Sequence, residues 1–169
     1  MREFFLMRII PLSVCLAVLT GLAGAQKVPR FAEYSTKVER PRITSIDFKK
    51  NPDARTYRTR LTEALRNGVN FSGHFIVAGW GCGTGCTNAA VIDTFTGKID
   101  WPEQFYNVDA TYGDGYSDVQ LDFKKNSRLL IIHGRPGSKD DSGYSGPPGD
   151  YYYEWRSNAF HLIRSIPKK

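Results

Sequence analysis

Two cysteines four positions apart, Cys82 and Cys86, are the residues whose type and spacing most directly imply chemistry. They lie in the glycine-rich run GWGCGTGC, residues 79–86. In an oxidising compartment such a pair predicts a disulfide, and residues 83–85 must fold back because an extended strand would hold the α-carbons too far apart. Closing so small a loop should stabilise the fold by only about 2 kcal/mol. We therefore interpret the bridge as a clamp on loop shape.

Redox, metal and nucleophilic chemistry find little support in the rest of the residue pattern. The C-x3-C spacing lacks the βαβ context of a thioredoxin-like motif. Together with His74, the two cysteines match no standard zinc spacing, so we predict no metal and no cofactor. A G-x-S-x-G motif is absent from the sequence, and catalytic residues stay unassigned. We expect hydrogen-bonded structural roles for His74 and His133 within strands.

Acidic residues in the loops leave two further interpretations open. The candidates are Glu103, Asp109, Asp114 and Asp118. A pair of such carboxylates could cleave a glycoside, which makes a small hydrolase of envelope polymers the alternative function. Residues 109–122 are also dense in oxygen ligands for calcium, although Thr111 and Gly113 depart from the EF-hand spacing. Exposed loops carry acidic residues by default, so neither interpretation is preferred.

Aromatic residues gather around the same loops and the neighbouring strand ends. They are Trp80, Trp101, Tyr112, Tyr116, Tyr144 and the run Tyr151–Tyr153. Loops of this composition on a rigid sheet suit a binding surface for a sugar or a protein, and packing in the core or at an edge is the competing interpretation. The candidate binding residues are Trp80, Gly83, Thr84, Gly85, Tyr112, Tyr116 and Tyr144.

The first 25 residues have the features of a secretory signal peptide. Arg2 and Arg8 form the basic region, Ile9–Leu22 forms the apolar region, and residues 23–25 form an A-x-A cleavage site; Met7 is an alternative start. The apolar segment is interrupted and is short for a membrane span of roughly 20 residues. We therefore expect cleavage, no stable membrane insertion afterwards, and a periplasmic or secreted protein.

The charge pattern argues against nucleic-acid binding. The formal net charge of +6 falls to +5 without the signal peptide, because that segment holds two arginines and one glutamate. The remaining basic residues are scattered, which is typical of a solvated surface. We expect a monomer that binds no nucleic acid and whose partner in the envelope is a protein or a glycan.

One amphipathic helix, Pro52–Arg66, should help to position the loops. Asn51 is a favourable N-cap before Pro52, and Asn67-Gly68 ends the run. The apolar residues recur at helical spacing: Ala54, Tyr57, Leu61, Ala64 and Leu65.

From Asn70 onward the period of the apolar residues changes to two, which predicts strands. The expected strands are Phe71–Trp80, Ala89–Thr94, Gly97–Trp101, Val119–Lys124, Leu129–Gly134, Tyr151–Arg156 and Phe160–Ser165. Short turns favour an antiparallel meander of about seven strands, which packs by one face on the helix as an α+β domain over residues 51–169. Residues 26–50 contain two prolines, lack periodicity and should form an extended arm.

Several of these segments resemble a family of exported bacterial proteins of unknown function. The resemblance rests on FSGHF at 71–75, WGCGTGC at 80–86, ID and TG at 92–93 and 96–97, LLII at 129–132 and YEW at 153–155. It covers most of the mature chain and implies no activity. More distantly, the strand–cysteine loop–strand pattern is similar to periplasmic vertebrate-type lysozyme inhibitors. In those proteins a loop histidine enters the lysozyme cleft, whereas the loop here is Gly83-Thr84-Gly85.

The favoured hypothesis is an exported, non-enzymatic envelope protein that binds a protein or a cell-wall glycan. Trp80 would anchor the partner at the disulfide-closed tip, because a tryptophan beside a rigid loop can supply much of the energy of an interface. A deeply buried carboxylate that faces a cleft would favour the hydrolase instead.

Overall fold

The computed structural model describes residues 27–109, 111–112, 115–116, 121–138 and 143–168. The expected signal peptide, Asp114 and Asp118 lie outside these ranges, and Tyr112 and Tyr116 are described by their backbone alone. Within the described ranges, no helix combines the length and the apolar character that a membrane crossing requires.

Two four-stranded antiparallel sheets form the body of the protein. The first contains β1 (Phe75–Gly83), β2 (Cys86–Asp93), β3 (Ile99–Asp100) and β4 (Val108–Asp109); β1 is an edge strand, and β3 and β4 both pair with β2. A separate hairpin of β5 (Thr111–Tyr112) and β6 (Gly115–Tyr116) follows. The second sheet is a meander of β7 (Leu121–Phe123), β8 (Leu129–Gly134), β9 (Gly149–Arg156) and β10 (Ala159–Pro167).

The prediction of a mainly antiparallel sheet with one helix is confirmed, but the single meander of about seven strands is wrong. The reason is visible in β1, where Phe75, Ile76, Val77 and Ala78 are all buried. A strand that is apolar on both faces needs a cover on both faces. Ile76 and Ala78 pack on the helix, whereas Phe75 and Val77 pack on the second sheet.

Side chains also alternate between the two faces of the second sheet. Leu130, Ile132, Tyr151 and Tyr153 face the first sheet across the largest core cluster. Tyr152 points the other way and packs with the outer cluster of that sheet, as its position between two inward-facing tyrosines predicts. Each expected strand overlaps an observed one, although residues 71–74 form a turn before β1.

The helix begins as a 3-10 segment, Pro52–Tyr57, and continues as α1 (Arg58–Asn67). This agrees with the predicted extent, and the apolar stripe faces the first sheet. Ala54, Leu61 and Leu65 are buried there.

Asn51 does not cap the helix through its side chain, contrary to the expectation. Its Nδ2 instead donates to the Gly97 carbonyl at 3.1 Å, and its Oδ1 accepts from the Ile99 N–H at 3.1 Å. A side chain that satisfies two backbone groups of a hairpin serves the sheet better than the helix end here. Asn51 therefore fixes the start of the helix to the β2–β3 turn.

The expected arm is packed against both sheets. A 3-10 turn, Phe31–Tyr34, covers the outer face of the second sheet beside Leu129 and Tyr152. Further along, Ile46 is buried between the helix and the first sheet. The described part of the arm is therefore part of the fold, and its apolar residues pack on two different surfaces.

Candidate functional site: an aromatic cleft beside the bridged tip

The β1–β2 hairpin ends in the bridged tip that the sequence predicts. Cys82 and Cys86 form a disulfide with a Cα–Cα distance of 5.2 Å, so the predicted pairing is confirmed. A register shift between Gly81 and Gly83 marks a bulge in β1. Gly83 and Gly85 have φ values of 144° and 70°, which residues with a side chain rarely adopt. These two glycines shape the tip, whereas Gly81 has no positive φ.

Trp80 is attached to the helix-side core and does not stand free at the tip. It is half-buried, and its ring stacks on Tyr57 with centroids 4.4 Å apart. Trp101 meets Trp80 edge-on at 6.0 Å and lies 5.4 Å from Tyr57. The three rings therefore form one packed cluster, and the exposed Thr84 marks the end of the tip beyond it.

A cleft of about 340 Å³ opens beside this cluster. Its lining residues are Asp53, Tyr57, Trp80, Asn88, Ala89, Trp101, Phe105 and Tyr106. Phe105 is fully buried, whereas Tyr106 is 41% exposed and forms the outer wall. The volume falls within the range of small-molecule sites, roughly 300–1,000 Å³, and such sites are mainly apolar with a few polar groups.

One side of the cleft is a gap in the hydrogen bonding of β2. β3 pairs with Val91 and β4 pairs with Thr87, so Ala89 lies between them. The Asp93 N–H donates to the Lys98 carbonyl, so the backbone groups of Asp93 point toward β3. Because these directions repeat every second residue of an antiparallel strand, the N–H and C=O of Ala89 point to the same side of β2 as those of Asp93. Within the described part of the chain, neither group of Ala89 has a hydrogen-bond partner. The cleft therefore offers one amide donor and one carbonyl acceptor.

The Tyr106 wall is held in place from two directions. The next residue, Asn107, has a φ of 51°, and its N–H donates to Asn88 Oδ1 at 2.6 Å. The Asn107 side-chain amide lies 3.7 Å from Cys86 Sγ. Behind the wall, Gly137 packs against the Tyr106 backbone so closely that no β-carbon would fit. The tip and the loop after β8 thus set the position of Tyr106 together.

The remaining candidate binding residues do not join the cleft. Tyr144 is exposed and lies with its ring 5.4 Å from the Arg135 guanidinium, outside the cleft lining. The backbones of Tyr112 and Tyr116 belong to the β5–β6 hairpin, and their side chains lie outside the described structure. The structure unites Trp80 with Tyr57, Trp101 and Tyr106 rather than with these tyrosines.

Of the candidate carboxylates, Glu103 and Asp109 lie in the described ranges, and they do not line one cleft. Glu103 lines a second cleft of about 320 Å³ together with Asp100 and Trp101. Asp100 forms an ion pair with Lys98 at 2.5 Å, and Asp109 lies 4.0 Å from Arg135 Nε. None of the carboxylates in the described ranges is fully buried, and the same ranges hold no group of three or more His, Cys, Asp or Glu residues arranged to bind a metal.

The two histidines expected in strands have structural contacts. His133 Nδ1 lies 2.8 Å from Asp150 Oδ1, and Lys168 Nζ donates to the same oxygen at 2.7 Å. Burial acts to raise the pKa of Asp150, but the hydrogen bonds from Lys168 and His133 outweigh it and leave that pKa below its usual value. His74 stacks on Phe95 with centroids 3.9 Å apart.

Sequence reasoning missed Asp53, Asn88, Ala89, Phe105 and Tyr106 as residues of one site. One signal was present in the helix: Tyr57 is the single aromatic residue of a stripe otherwise made of alanine and leucine. A buried tyrosine normally keeps its hydroxyl at a wet or polar boundary. That preference points to an opening at this end of the helix.

No protein-family model matches the chain, and neither a curated protein nor a solved structure matches it significantly. The resemblance to exported bacterial proteins therefore stays a prediction. The function has to be inferred from the site itself.

Proposed function

We propose that the protein is an exported, non-enzymatic envelope protein that binds a cell-wall glycan in the aromatic cleft, next to the disulfide-closed tip. The observation that carries the proposal is the union of Tyr57, Trp80, Trp101 and Tyr106 around one cavity of about 340 Å³. Flat apolar rings with polar groups at the margin suit a sugar, which has apolar ring faces and a rim of hydroxyl groups. The signal-like leader and the disulfide both suit an oxidising, extracytoplasmic compartment.

The polar groups of the cleft favour an N-acetylated sugar. An acetamido group carries one N–H and one C=O, which complement the unpaired C=O and N–H of Ala89. A sugar bound in this way would complete the interrupted pairing of β2 between β3 and β4. Hydrogen bonds to otherwise unpaired polar groups discriminate strongly between ligands that have the matching group and ligands that lack it.

Asp53 and Asn88 supply the remaining polar groups of the lining. The Asp53 side chain is exposed at the margin, where a carboxylate can accept hydrogen bonds from sugar hydroxyls. The Asn88 Oδ1 already accepts the Asn107 N–H, so a hydrogen bond from Asn88 to the sugar would come from its amide nitrogen.

In this proposal the bridged tip contributes mainly by holding neighbouring residues of the cleft in place. Cys86 lies beside Asn107, which precedes β4 and follows the Tyr106 wall. Gly83, Thr84 and Gly85 lie beyond Trp80 at the end of the β1–β2 hairpin, where a longer glycan chain would continue. A short constrained loop of this kind reduces the conformational entropy that binding would otherwise cost.

The test is a titration with β-1,4-linked N-acetylglucosamine oligomers and, as the matched control, β-1,4-linked glucose oligomers of the same length. Calorimetry should detect binding of the acetylated series and at least about tenfold weaker binding of the other, equivalent to roughly 1.4 kcal/mol. Tryptophan fluorescence should change on binding, because Trp80 and Trp101 line the cleft.

The variant Tyr106→Ala removes one wall and should lower the affinity at least about tenfold. Its thermal midpoint should change little, because Tyr106 is 41% exposed. The control Tyr144→Ala removes a tyrosine of matched exposure, 40%, from outside the lining. Equal affinities for both oligomer series, or equal losses in both variants, would contradict the proposal. Progressive shortening of the oligomers would instead support the hydrolase alternative.

A further inference from the structure

The outer edge of β1 carries backbone N–H and C=O groups that play no part in the aromatic cleft. β1 is the edge strand of the first sheet. On its inner side, the His74 carbonyl accepts the Thr94 N–H. On its outer side, Phe75 exchanges two backbone hydrogen bonds with Phe71. Alternation along an antiparallel strand therefore directs the N–H and C=O groups of the odd-numbered residues outward.

Part of this outer edge is covered. Beyond Phe75, the next outward residue is Val77, and the side-chain amide of Asn70 satisfies both of its backbone groups. The following outward residues are Gly79 and Gly81. In the described part of the chain, the outward groups of these glycines have no hydrogen-bond partner. Two donors and two acceptors, about 7 Å apart along the strand, thus face solvent.

The fold does not require glycine at these two positions. A β-carbon on Gly79 would lie no closer than 3.8 Å to any neighbouring atom, and one on Gly81 no closer than 4.0 Å. Neither residue has a positive φ, in contrast to Gly83 and Gly85. Glycine weakens a strand and, where the backbone does not need it, often marks a place that another backbone approaches closely.

We propose that the Gly79–Gly81 edge binds an extended peptide segment of a partner protein, which adds a strand to the first sheet beside β1. Strand addition uses the main-chain groups that the edge leaves open and takes its specificity from alternate side chains. Natural proteins normally cover or charge such edges, and here the cover ends at Val77. This surface lies on the opposite side of β2 from the aromatic cleft and does not depend on the glycan proposal.

The surroundings specify the chemistry of the peptide. Gly79 and Gly81 lie on the same face of β1 as Val77 and have no side chain to cover the backbone there. Bulky side chains of the partner peptide, placed opposite these glycines, would cover it, as aromatic residues do for other edge glycines. On the other face, α1 packs on β1 and carries three exposed arginines, Arg58, Arg60 and Arg66, against one glutamate. The partner strand should therefore alternate bulky and acidic residues.

The same charges argue against a second copy of this chain as the occupant. Two copies joined through the β1 edges would place two arginine-bearing helices on one face of a continuous sheet. Repulsion between the like charges of the two helices would oppose association. An acidic segment gains from the field that disfavours the dimer.

The test uses an acetylated and amidated hexapeptide of alternating tyrosine and glutamate, titrated into the mature protein labelled with nitrogen-15. The amide proton signals of Gly79 and Gly81 should move downfield, and those of Gly68 and Gly97 should stay unchanged. N-methylation of the pairing amides of the peptide should weaken binding at least tenfold, because it removes the main-chain donors. Replacement of glutamate by lysine should weaken binding by a similar factor.

A protein variant supplies the second arm. Gly79→Pro removes one outward N–H, which is a tolerated change on an edge strand, and should abolish the shift at Gly81. The N-methylated peptide keeps the test decisive if this variant does not fold. An absence of shifts at Gly79 and Gly81, or shifts confined to the Trp80 and Trp101 indoles, would overturn the proposal. Shifts that grow with protein concentration alone, together with a dimer in sedimentation, would show that the occupant is a second copy.

Discussion

Gly137 packs directly on the backbone of Tyr106, and a β-carbon at Gly137 would overlap the Tyr106 carbonyl oxygen. The loop after β8 therefore supports the outer wall of the aromatic cleft from behind. Because the contact is between two backbones, neither side can move away by a change of rotamer. The site depends on a residue that never touches the cavity.

We expect Gly137→Ala to displace the Tyr106 wall and to destabilise the protein by about 1–3 kcal/mol, the usual cost of forcing an extra carbon into a packed site. Urea denaturation followed by tryptophan fluorescence measures this change. Gly81→Ala is the matched control, since a β-carbon there would lie 4.0 Å from its nearest neighbour. A Gly137 variant as stable as the Gly81 variant would show that the loop can withdraw from Tyr106.

The helix stripe is the second target. Leu61 is 0% exposed, and Leu61→Ala should lower the free energy of unfolding by about 2–5 kcal/mol, because it leaves a cavity between the helix and the first sheet. Leu162→Ala serves as the control, since Leu162 is 55% exposed and should change stability by no more than about 0.5 kcal/mol. Equal denaturation midpoints for the two variants would mean that this side of the helix is not core.

Trp80 should contribute to both stability and binding. Its ring packs against Tyr57 and Trp101 and lines the cleft. Trp80→Ala should therefore cost about 1–3 kcal/mol of stability, less than a fully buried tryptophan, and should also weaken glycan binding. Trp80→Phe should restore most of the stability. A Trp80→Ala variant with an unchanged thermal midpoint would support the simpler interpretation of Trp80 as a free anchor.

Acid should weaken the contact between the second sheet and the residues after β10. The pKa of Asp150 is lowered in the folded protein, so its ion-pair contribution is fully present above the unfolded value near 3.9 and is lost as the pH falls through the folded pKa. The stability difference between wild type and Asp150→Asn should shrink as the pH falls from about 5 to about 2. Denaturation curves across this range measure it. A difference that stays constant or grows over this acid range would contradict the assignment.

The local elements of the fold were predictable from the sequence, because each depends on neighbours in the chain. The spacing of Leu61 and Leu65 predicts the helix, and the residue types Ser157-Asn158 predict a turn. Both residues of that turn have positive φ, 51° and 56°, as a tight two-residue hairpin requires. The tip followed from the spacing of its cysteines.

The two-sheet arrangement and the cleft were not predictable in this way. β4 has two residues and pairs with a strand that ends fifteen residues earlier, at Asp93, so it leaves no periodic pattern in the sequence. Tyr57, Trp80 and Tyr106 come from the helix, β1 and the segment before β4. Their meeting is a consequence of long-range packing, which side-chain periodicity does not encode.

The contact between the N-terminal segment and the second sheet also implies an order of folding. The Ser127 hydroxyl donates to the Phe31 carbonyl at 2.9 Å across 96 residues of sequence, and the surface that receives this turn exists only once β8 and β9 have paired. Closing so long a loop is entropically unfavourable until its landing site is formed. The meander of β7 to β10 should therefore assemble first, from contacts near in sequence. Phe31 and its neighbours, although synthesised before the meander, would then reach their native positions after it.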